Sequence, residues 1–361
     1  MIMISIRNSI EELITTYQEV NCPQIDELDE EPSPLEFMRY VAKNRPFVVR
    51  KGASDCPPII YGLLFFAIFD QKYDEAEQNQ LKIFNVASNA DSIITTDNGP
   101  LFVKPYETEA PFSTVLEKIQ TQEVNPSTYK GHTHYLQTQN DNLRNEYSTL
   151  FTNSKIPDSI PFARIALQKP PEAINFWLGN SKSVTALHKD PYENIYVQVL
   201  GKKHFVLLPP IEAPVVGEKW VRSGTYVPTS SSSLSSQFAP LDLNSEFNLI
   251  PIPDVPSHTL PFATYDPDSP LDTATPFSLL SKPLRVTLDP GDMLYLPALW
   301  YHKVSQSCDE EKICCAINYW YDMEFSGSFW SMAGFVRGVG MGVCGEAKGV
   351  EEGEMEGKEE R

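Results

Sequence analysis

The sequence predicts a mainly β protein with flanking helices, in which many short strands form a sandwich or barrel. Its 361 residues include 30 prolines, and proline disrupts helix interiors, so a helical bundle is disfavoured. From Phe162 onward, short apolar runs recur between Gly and Pro residues, which is the pattern of successive strands. Hydrophobic residues make up 41% of the chain, enough for a full core.

The N-terminal part carries the predicted flanking helices. Residues 5–20 place apolar side chains at helical spacing, and residues 34–41 form a second short helix opened by a proline. Residues 45–50 are β-branched and predict a strand. Residues 81–105 predict strands joined by a turn, and residues 111–120 predict a helix. We therefore expect a helical segment at 1–45.

One large domain is expected over residues 46–330, with its central part at 162–325. Within it, residues 211–283 are the least regular, and Thr229–Ser236 reads as a mobile loop. A Gly- and Glu-rich tail over 334–361 is expected to be disordered. The strand-like runs are 175–179, 195–200, 204–208, 285–288, 293–296 and 313–321.

Charge and cysteine usage narrow the classes of function. The net charge of −19 disfavours nucleic-acid binding, which needs basic side chains. The six cysteines lack the spacing of a disulfide framework or a zinc site. The apolar run Ile59–Phe69 is too short to cross a bilayer, so we expect no membrane partner. The chain reads as intracellular, and we expect it in the cytoplasm and the nucleus.

A metal site is indicated by the tripeptide His188–Lys189–Asp190. On a strand, residues i and i+2 point to the same face, so His188 and Asp190 can reach one ion while Lys189 points away. His302 is the best placed third ligand. Two histidines and one carboxylate leave three coordination positions open, as a non-haem Fe(II) oxygenase requires. The tripeptide alone is common, however, and a histidine in an apolar strand is more often a core residue.

Longer segments around this tripeptide resemble the JmjC family of 2-oxoglutarate oxygenases. The resemblance runs from Pro34 to Glu324, whereas Cys56–Phe69 has no counterpart in the family. It implies a double-stranded β-helix, the jelly-roll core of the cupin superfamily, with Fe(II), 2-oxoglutarate and O₂ as cofactors. The matching segments are Asn175–Gly179, Val184–Asp190, Glu193–Tyr196, Gly201–Phe205, Pro209–Pro210, Gly291–His302 and Asn318–Glu324.

The resemblance also assigns roles at the co-substrate. It implies that Lys203 binds the far carboxylate of 2-oxoglutarate and that Thr185 and Tyr135 supply hydroxyl donors, while Asn194 and Asn318 line the same pocket. By composition alone, Lys203 would be a solvated lysine and Tyr135 a core tyrosine. Three tryptophans are expected to pack the barrel and shield the site, namely Trp177, Trp300 and Trp320.

The implied reaction couples decarboxylation of 2-oxoglutarate to succinate and CO₂ with hydroxylation of a protein lysine at carbon-3. The resemblance implies a lysine-bearing protein as the partner, with a GTP-binding protein as one such substrate. Relatives dimerise through a helical end, whereas Gly and Glu dominate here from Gly338 on, so a homodimer is not supported by this tail.

Three alternatives remain beside the lysyl hydroxylase. The first is a demethylase of N-methyl-lysine, which would use the same metal chemistry on a different C–H bond. The second is a catalytically silent scaffold of the same fold, which predicts loss of a metal ligand or of the co-substrate lysine; all four residues are present. The third is a peptidase, for which the sequence offers no nucleophile–base arrangement or separate zinc site.

Overall fold

The computed structural model describes residues 2–54, 92–97, 99–107, 110, 112–129, 132–138, 141–153, 156–228 and 249–344. The apolar run Ile59–Phe69, residues 81–91 and the predicted loop Thr229–Ser236 lie outside these described residues, as does the chain beyond residue 344. Within the described ranges, no helix combines the length and the apolar character that a membrane span needs.

Seven helices flank the sheets in the described part of the chain. Ser33 caps the second helix: its hydroxyl accepts a hydrogen bond from the Glu36 amide, and its own backbone amide donates one to the Glu36 carboxylate. The helices are α1 (Ile2–Val20), α2 (Pro34–Lys43), α3 (Phe112–Val124), α4 (Ser148–Asn153), α5 (Pro161–Leu167), α6 (Ala213–Val216) and α7 (Phe329–Val343).

Fifteen strands follow one another within the same ranges. They are β1 (Asp26–Leu28), β2 (Phe47–Val49), β3 (Ser92–Thr96), β4 (Gly99–Lys104), β5 (Ala173–Gly179), β6 (Thr185–His188), β7 (Tyr192–Leu200), β8 (Lys202–Leu208), β9 (Lys219–Pro228), β10 (Leu249–Pro253), β11 (Thr259–Phe262), β12 (Leu284–Leu288), β13 (Met293–Leu296), β14 (Tyr301–Ser307) and β15 (Cys314–Asp322).

Two of the three sheets build the core of the molecule. The six-stranded sheet has the order β1-β2-β13-β7-β15-β5, and the four-stranded sheet has the order β12-β8-β14-β6. Chain-adjacent strands alternate between them: β5 and β7 belong to the first sheet, β6 and β8 to the second. This alternation gives the jelly roll that the sequence predicted. The fold class is therefore confirmed.

Apolar side chains fill both faces of the six-stranded sheet. One face meets the four-stranded sheet, where Leu294 of β13 and Leu207 of β8 belong to a common buried cluster. The other face is covered by helices, with Phe37 of α2 and Ile119 of α3 in the largest cluster. A strand buried on both sides shows no alternation of buried and exposed residues, and burial is continuous through the interior of β7 and through most of β15.

The stretch predicted to be irregular contains a third sheet. Strands β9, β10 and β11 lie between residues 219 and 262, and β9 pairs with β4, β10 and β11. The expectation of an irregular region over 211–283 was therefore wrong for these strands. Their side chains are largely exposed in β10, and prolines interrupt β10 and β11, so the usual strand signal is missing.

The predicted disordered tail is also corrected in part. Residues 334–343 belong to α7, although four glycines fall within this range. The helix gains its stability from packing: Val336 and Met341 are buried, and a Cβ at Gly340 would lie 2.9 Å from Pro214 Cγ of α6. Tertiary contact therefore overrides the low helix propensity of glycine.

Among the described cysteines, Cys22, Cys308, Cys314 and Cys315 are free thiols. Cys314 and Cys315 are buried in β15, as small apolar side chains would be. Cys56 lies outside the described residues.

Candidate metal and co-substrate site

Two of the three predicted metal ligands lie on neighbouring strands of the four-stranded sheet, and the third follows one of these strands. His188 is the last residue of β6, and His302, the second residue of β14, is its direct antiparallel partner. Pro191 has no amide hydrogen to continue a strand ladder. Asp190 therefore lies in the connection to β7, not on a strand as the sequence predicted. The Asp190 carbonyl accepts a hydrogen bond from Leu299 N at 2.9 Å, which holds it beside His302.

Hydrogen bonds fix both imidazoles in the same orientation. His188 Nδ1 lies 2.8 Å from the carbonyl oxygen of Ala186, and His302 Nδ1 lies 3.0 Å from that of Trp300. A proton on Nδ1 donates in each case, which leaves the Nε2 lone pair available for a metal. Both Nε2 atoms lie 3.6 Å from Asp190 Oδ2.

One ion can contact all three side chains. The ligand atoms of His188, Asp190 and His302 lie within 4.8 Å of one another. In the described part of the chain, this is the one group of His, Cys, Asp and Glu residues that meets such a criterion. Three ligands leave room for further oxygen ligands, unlike a four-ligand structural zinc site.

The protonation states also suit a metal ion. Burial, followed by the nearby His188, lowers the pKa of His302 to about 4, so its imidazole is neutral at pH 7. Burial alone would raise the pKa of Asp190, but the two histidines lower it overall. A neutral imidazole and an ionised carboxylate are the forms that coordinate metals.

All five predicted co-substrate residues line one pocket together with the three metal ligands. The pocket lies between the two core sheets: Thr185 and Lys203 come from the four-stranded sheet, and Asn194 and Asn318 from the six-stranded sheet. Tyr135 reaches it from a segment before β5. Their roles in binding 2-oxoglutarate remain predictions. The pocket has six further lining residues, Gln137, Trp177, Tyr196, Phe205, Val304 and Trp320.

Lys203 places a buried positive charge in the lining of this pocket. The residue is only 1% exposed, and its Nζ donates a hydrogen bond to Tyr135 Oη at 2.9 Å. Its Nζ also lies 5.9 Å from the centroid of the Tyr196 ring. Among the described residues, no carboxylate forms an ion pair with Lys203. A buried cation without a counter-charge is costly, so the pocket is electrostatically suited to an anion.

Glycine at position 179 lets Tyr135 approach this pocket. A Cβ at Gly179 would lie 2.5 Å from Tyr135 Cδ2 and 2.6 Å from Ser183 Oγ. Leu136, the next residue, bridges to Leu178 of β5 and so fixes the backbone of the Tyr135 segment. The hydroxyl of Tyr135 is therefore presented to Lys203 by a close backbone approach.

The two predicted asparagines are connected to each other. Asn318 Nδ2 donates to Asn194 Oδ1 at 3.0 Å, and Trp177 Nε1 donates to Asn318 Oδ1 at 2.7 Å. Asn318 is thus held in one orientation by partners on both neighbouring strands of β15. Trp177 contributes a hydrogen bond that the sequence did not reveal, beyond the packing predicted for it.

The remaining two predicted tryptophans differ in position. Trp320 lines the pocket, but Trp300 does not: its indole nitrogen donates to the backbone and side-chain oxygens of Asn44. His204 of β8 was expected to be structural. Its two ring nitrogens contact the hydroxyls of Thr287 on β12 and Ser307 on β14, the strands on either side of β8.

The residues that line this pocket fit Fe(II) and 2-oxoglutarate. The donor set of two imidazoles and a carboxylate suits Fe(II). The buried ammonium of Lys203, which donates to the Tyr135 hydroxyl in the same pocket, suits the far carboxylate of a dicarboxylic keto acid.

The fold and this site define a cupin-like protein. The sequence matches the family described as "Cupin-like domain" over residues 32–327, and the chain belongs to this family. The match includes all the residues of the site and every strand of the two core sheets except β1.

Similar proteins of the JmjC type support the same class. The chain is 32% identical over 323 residues to the "Bifunctional peptidase and (3S)-lysyl hydroxylase JMJD7" of Homo sapiens, covering 89% of this chain and 92% of that protein. It is 32% identical over 311 residues to the "Lysine-specific demethylase JMJ32" of Arabidopsis thaliana, covering 84% and 83%. It is 31% identical over 321 residues to the "JmjC domain-containing protein E" of Dictyostelium discoideum, covering 82% and 83%.

Proposed function

We propose that this protein is an Fe(II)- and 2-oxoglutarate-dependent oxygenase that hydroxylates carbon-3 of a lysine side chain in another protein. The observation that carries the oxygenase class is the coexistence, in one pocket, of a three-ligand metal group and a buried lysine that has no carboxylate partner among the described residues. A structural metal site needs no adjacent cation, and a simple anion site needs no metal ligands.

The metal and co-substrate would supply the oxidising chemistry, in which 2-oxoglutarate is decarboxylated to succinate and one oxygen atom enters a C–H bond. The chain's own contribution is to bind and orient. His188, Asp190 and His302 would hold the ion on one side and leave the other side open to the pocket. Lys203 and the hydroxyls of Thr185 and Tyr135 would bind the distal carboxylate, fixing the keto acid in a single direction.

A basic substrate is supported by the side of the pocket formed by β7 and β15. Tyr192 and Asp322 are direct cross-strand partners, and Tyr192 stacks on Trp320 with ring centroids 4.7 Å apart. Burial, followed by the carboxylates of Asp322, Glu172 and Asp190, raises the pKa of Tyr192. Aromatic faces next to carboxylates favour a cationic side chain such as lysine.

Carbon-3 hydroxylation is preferred because the human relative named as a (3S)-lysyl hydroxylase resembles this chain over 92% of its own length. The second candidate is N-methyl-lysine demethylation, and a specific observation favours it as well. The relative from Arabidopsis thaliana, named as a lysine-specific demethylase, is equally identical at 32%.

Mass spectrometry distinguishes the two reactions. The Fe(II)-loaded protein would be incubated with 2-oxoglutarate and a panel of substrates, each in unmodified and N-methylated form. The panel includes basic peptides and GTP-binding proteins. A gain of one oxygen on unmodified lysine supports hydroxylation, whereas loss of a methyl group supports demethylation. The control is Asp190→Ala, which lacks a metal ligand. If the metal-free protein consumed 2-oxoglutarate as fast as the loaded protein, the whole proposal would fail.

Two remaining functions have less support. A silent scaffold does not explain why Lys203 is kept buried without a counter-charge. The human relative is also named as a peptidase. In the described part of this chain, His188, Asp190 and His302 form the one group that could hold a metal, so a metallopeptidase would have to use that same ion.

A further inference from the structure

Glu218 lies behind the metal ligands, on the side away from the pocket. It sits between α6 and β9, in the stretch that the sequence left without a role, and its side chain is only 4% exposed. Three groups share its carboxylate: the Lys189 ammonium and the Tyr301 hydroxyl contact Oε1, and the Arg337 guanidinium contacts Oε2.

Two of these three groups are chain neighbours of metal ligands. Lys189 stands between His188 and Asp190, and Tyr301 immediately precedes His302. Tyr301 Oη lies 2.7 Å from Glu218 Oε1 and 3.0 Å from Lys189 Nζ, so the three side chains form a closed triangle. One carboxylate therefore joins the two chain segments that carry all three ligands.

The third partner connects the C-terminal helix to the same point. Arg337 lies on α7, whose Val339 and Val343 pack against the apolar cluster that contains Leu187 and Tyr301. Gly340 allows this helix to lie closely against Pro214 of α6. Helix α7 therefore covers the side of the metal site that faces away from the pocket. Its Arg337 is the second positively charged group that contacts Glu218.

We infer that Glu218 is a positioning residue for the metal site and that Arg337 makes the C-terminal helix part of that site's support. Metal ligands must be held close to their binding geometry, and loss of a supporting hydrogen bond commonly weakens metal binding about 10- to 100-fold. Without the carboxylate, Lys189 and Arg337 would face each other as unneutralised charges. Lys189 would move, and it would carry the backbone of both flanking ligands with it.

The test measures metal affinity and does not depend on the substrate. Mn(II) serves as the probe, its binding to the full-length protein being followed by electron paramagnetic resonance. For Glu218→Gln we expect the dissociation constant for Mn(II) to rise about 10-fold or more. For Arg337→Met, which leaves Lys189 and Tyr301 in place, we expect a smaller rise of about 3-fold.

Asp292→Asn is the matched control. The Asp292 side chain is also 4% exposed and binds an arginine, Arg50, at 2.6 Å, but it immediately precedes β13 and its hydrogen bonds go to Arg50, Lys51 and Asp289, none of them a metal ligand. This variant should lose comparable stability in urea and keep Mn(II) affinity within about 2-fold of the wild type.

The outcomes separate this inference from the proposed function on which it rests. If the wild type binds Mn(II) and Glu218→Gln binds it equally well, or no more weakly than Asp292→Asn, the positioning role is overturned while the oxygenase proposal stands. If the wild type itself does not bind Mn(II), the metal site fails and the inference fails with it. Should Glu218→Gln not fold, Arg337→Met decides: unchanged affinity overturns the inference, and weakened affinity supports it.

Discussion

His188 and His302 are direct partners on adjacent antiparallel strands, with ring centroids 4.1 Å apart. Their closeness comes from strand register, since residues 114 positions apart in the chain (302 − 188) become neighbours once β6 and β14 pair. The geometry at the metal is therefore a property of the four-stranded sheet.

Removal of a metal ligand should abolish both metal binding and turnover. We expect His302→Ala to lower the affinity for Mn(II) more than 100-fold and to reduce succinate production to background, because two ligands cannot retain the ion. His204→Ala is the matched control, since His204 lies on neighbouring β8 and bridges Thr287 and Ser307 outside the pocket. Equal loss in both variants would show that general unfolding, not coordination, is responsible.

Lys203→Ala should weaken co-substrate binding and spare the metal. Loss of a hydrogen bond to a charged group costs about 1.5–3 kcal/mol, which corresponds to a roughly 10- to 150-fold higher KM for 2-oxoglutarate. Mn(II) affinity should stay near that of the wild type. The control is Lys202→Ala, because Lys202 is half-exposed and pairs with Asp289 at 2.7 Å. An unchanged KM in Lys203→Ala would contradict the assignment.

Gly179→Ala should damage the protein through Tyr135. The added Cβ would lie 2.5 Å from Tyr135 Cδ2, so the ring or the strand must shift. We expect a loss of about 1–3 kcal/mol in the free energy of unfolding, together with a higher KM for 2-oxoglutarate. At Gly338 in α7, by contrast, nothing lies within 4 Å of an added Cβ, so Gly338→Ala should be neutral or stabilising. Urea denaturation measures both.

Asp322→Asn should affect the substrate but not the co-substrate. The carboxylate of Asp322 acts on Tyr192, which stacks on the pocket residue Trp320, so its loss should raise the KM for a lysine peptide about 2- to 5-fold, as for other exposed charges. The decarboxylation of 2-oxoglutarate without peptide should not change. Asp289→Asn removes an exposed carboxylate that pairs with Lys202, and it serves as the control. If the KM for the peptide is equal in both variants and the wild type, Asp322 has no role in substrate recognition.

A buried histidine should make the metal-free protein sensitive to acid. His134 is 3% exposed, and burial, followed by the charges of Lys118 and His132, lowers its pKa to about 4 from 6.5. Between pH 4 and pH 6.5, His134 is therefore protonated in the unfolded chain but not in the folded chain. The free energy of unfolding does not depend on His134 above pH 6.5, and it decreases toward pH 4 by up to about 1.4 kcal/mol per pH unit.

His134→Gln should flatten that dependence. Urea denaturation of both proteins at several values between pH 7 and pH 4.5 gives the difference in slope. His302 has a similarly lowered pKa and contributes with the same sign in both proteins, so it cancels in the comparison. If the free energy of unfolding depends on pH in the same way in both proteins, the pKa of His134 is not lowered in the folded protein.

The sequence predicted the parts of the fold in which burial controls the pattern. Strands β5, β7, β8, β12, β13 and β15 were all recognised because their side chains are mostly buried. In the third sheet, β3 and β4 fall within the predicted strands of residues 81–105, whereas β9, β10 and β11 were missed, and β10 exposes most of its residues. The helix around Gly338 was missed because only its packing against α6, which no local pattern records, makes it stable.

The site shows the same division between local and non-local information. The tripeptide around Lys189 is visible in the sequence, since its spacing is local. The contact between Lys203 and Tyr135 joins residues 68 positions apart, and only family resemblance indicated it. Glu218 gave no signal, because a single glutamate in an irregular stretch is indistinguishable from a surface charge until the fold buries it.

The attachment of Trp300 to Asn44 bears on how far the protein can be shortened. Asn44 ends α2 in a left-handed conformation, accepts the indole proton of Trp300, and donates to the Ala298 carbonyl. The segment up to residue 45 also supplies the outermost strand of the six-stranded sheet. A fragment starting at residue 46 would lose that outermost strand together with the acceptor for an indole two residues from His302. Trimming the helical N-terminus to obtain a minimal oxygenase domain should therefore yield a protein with a loosened metal site.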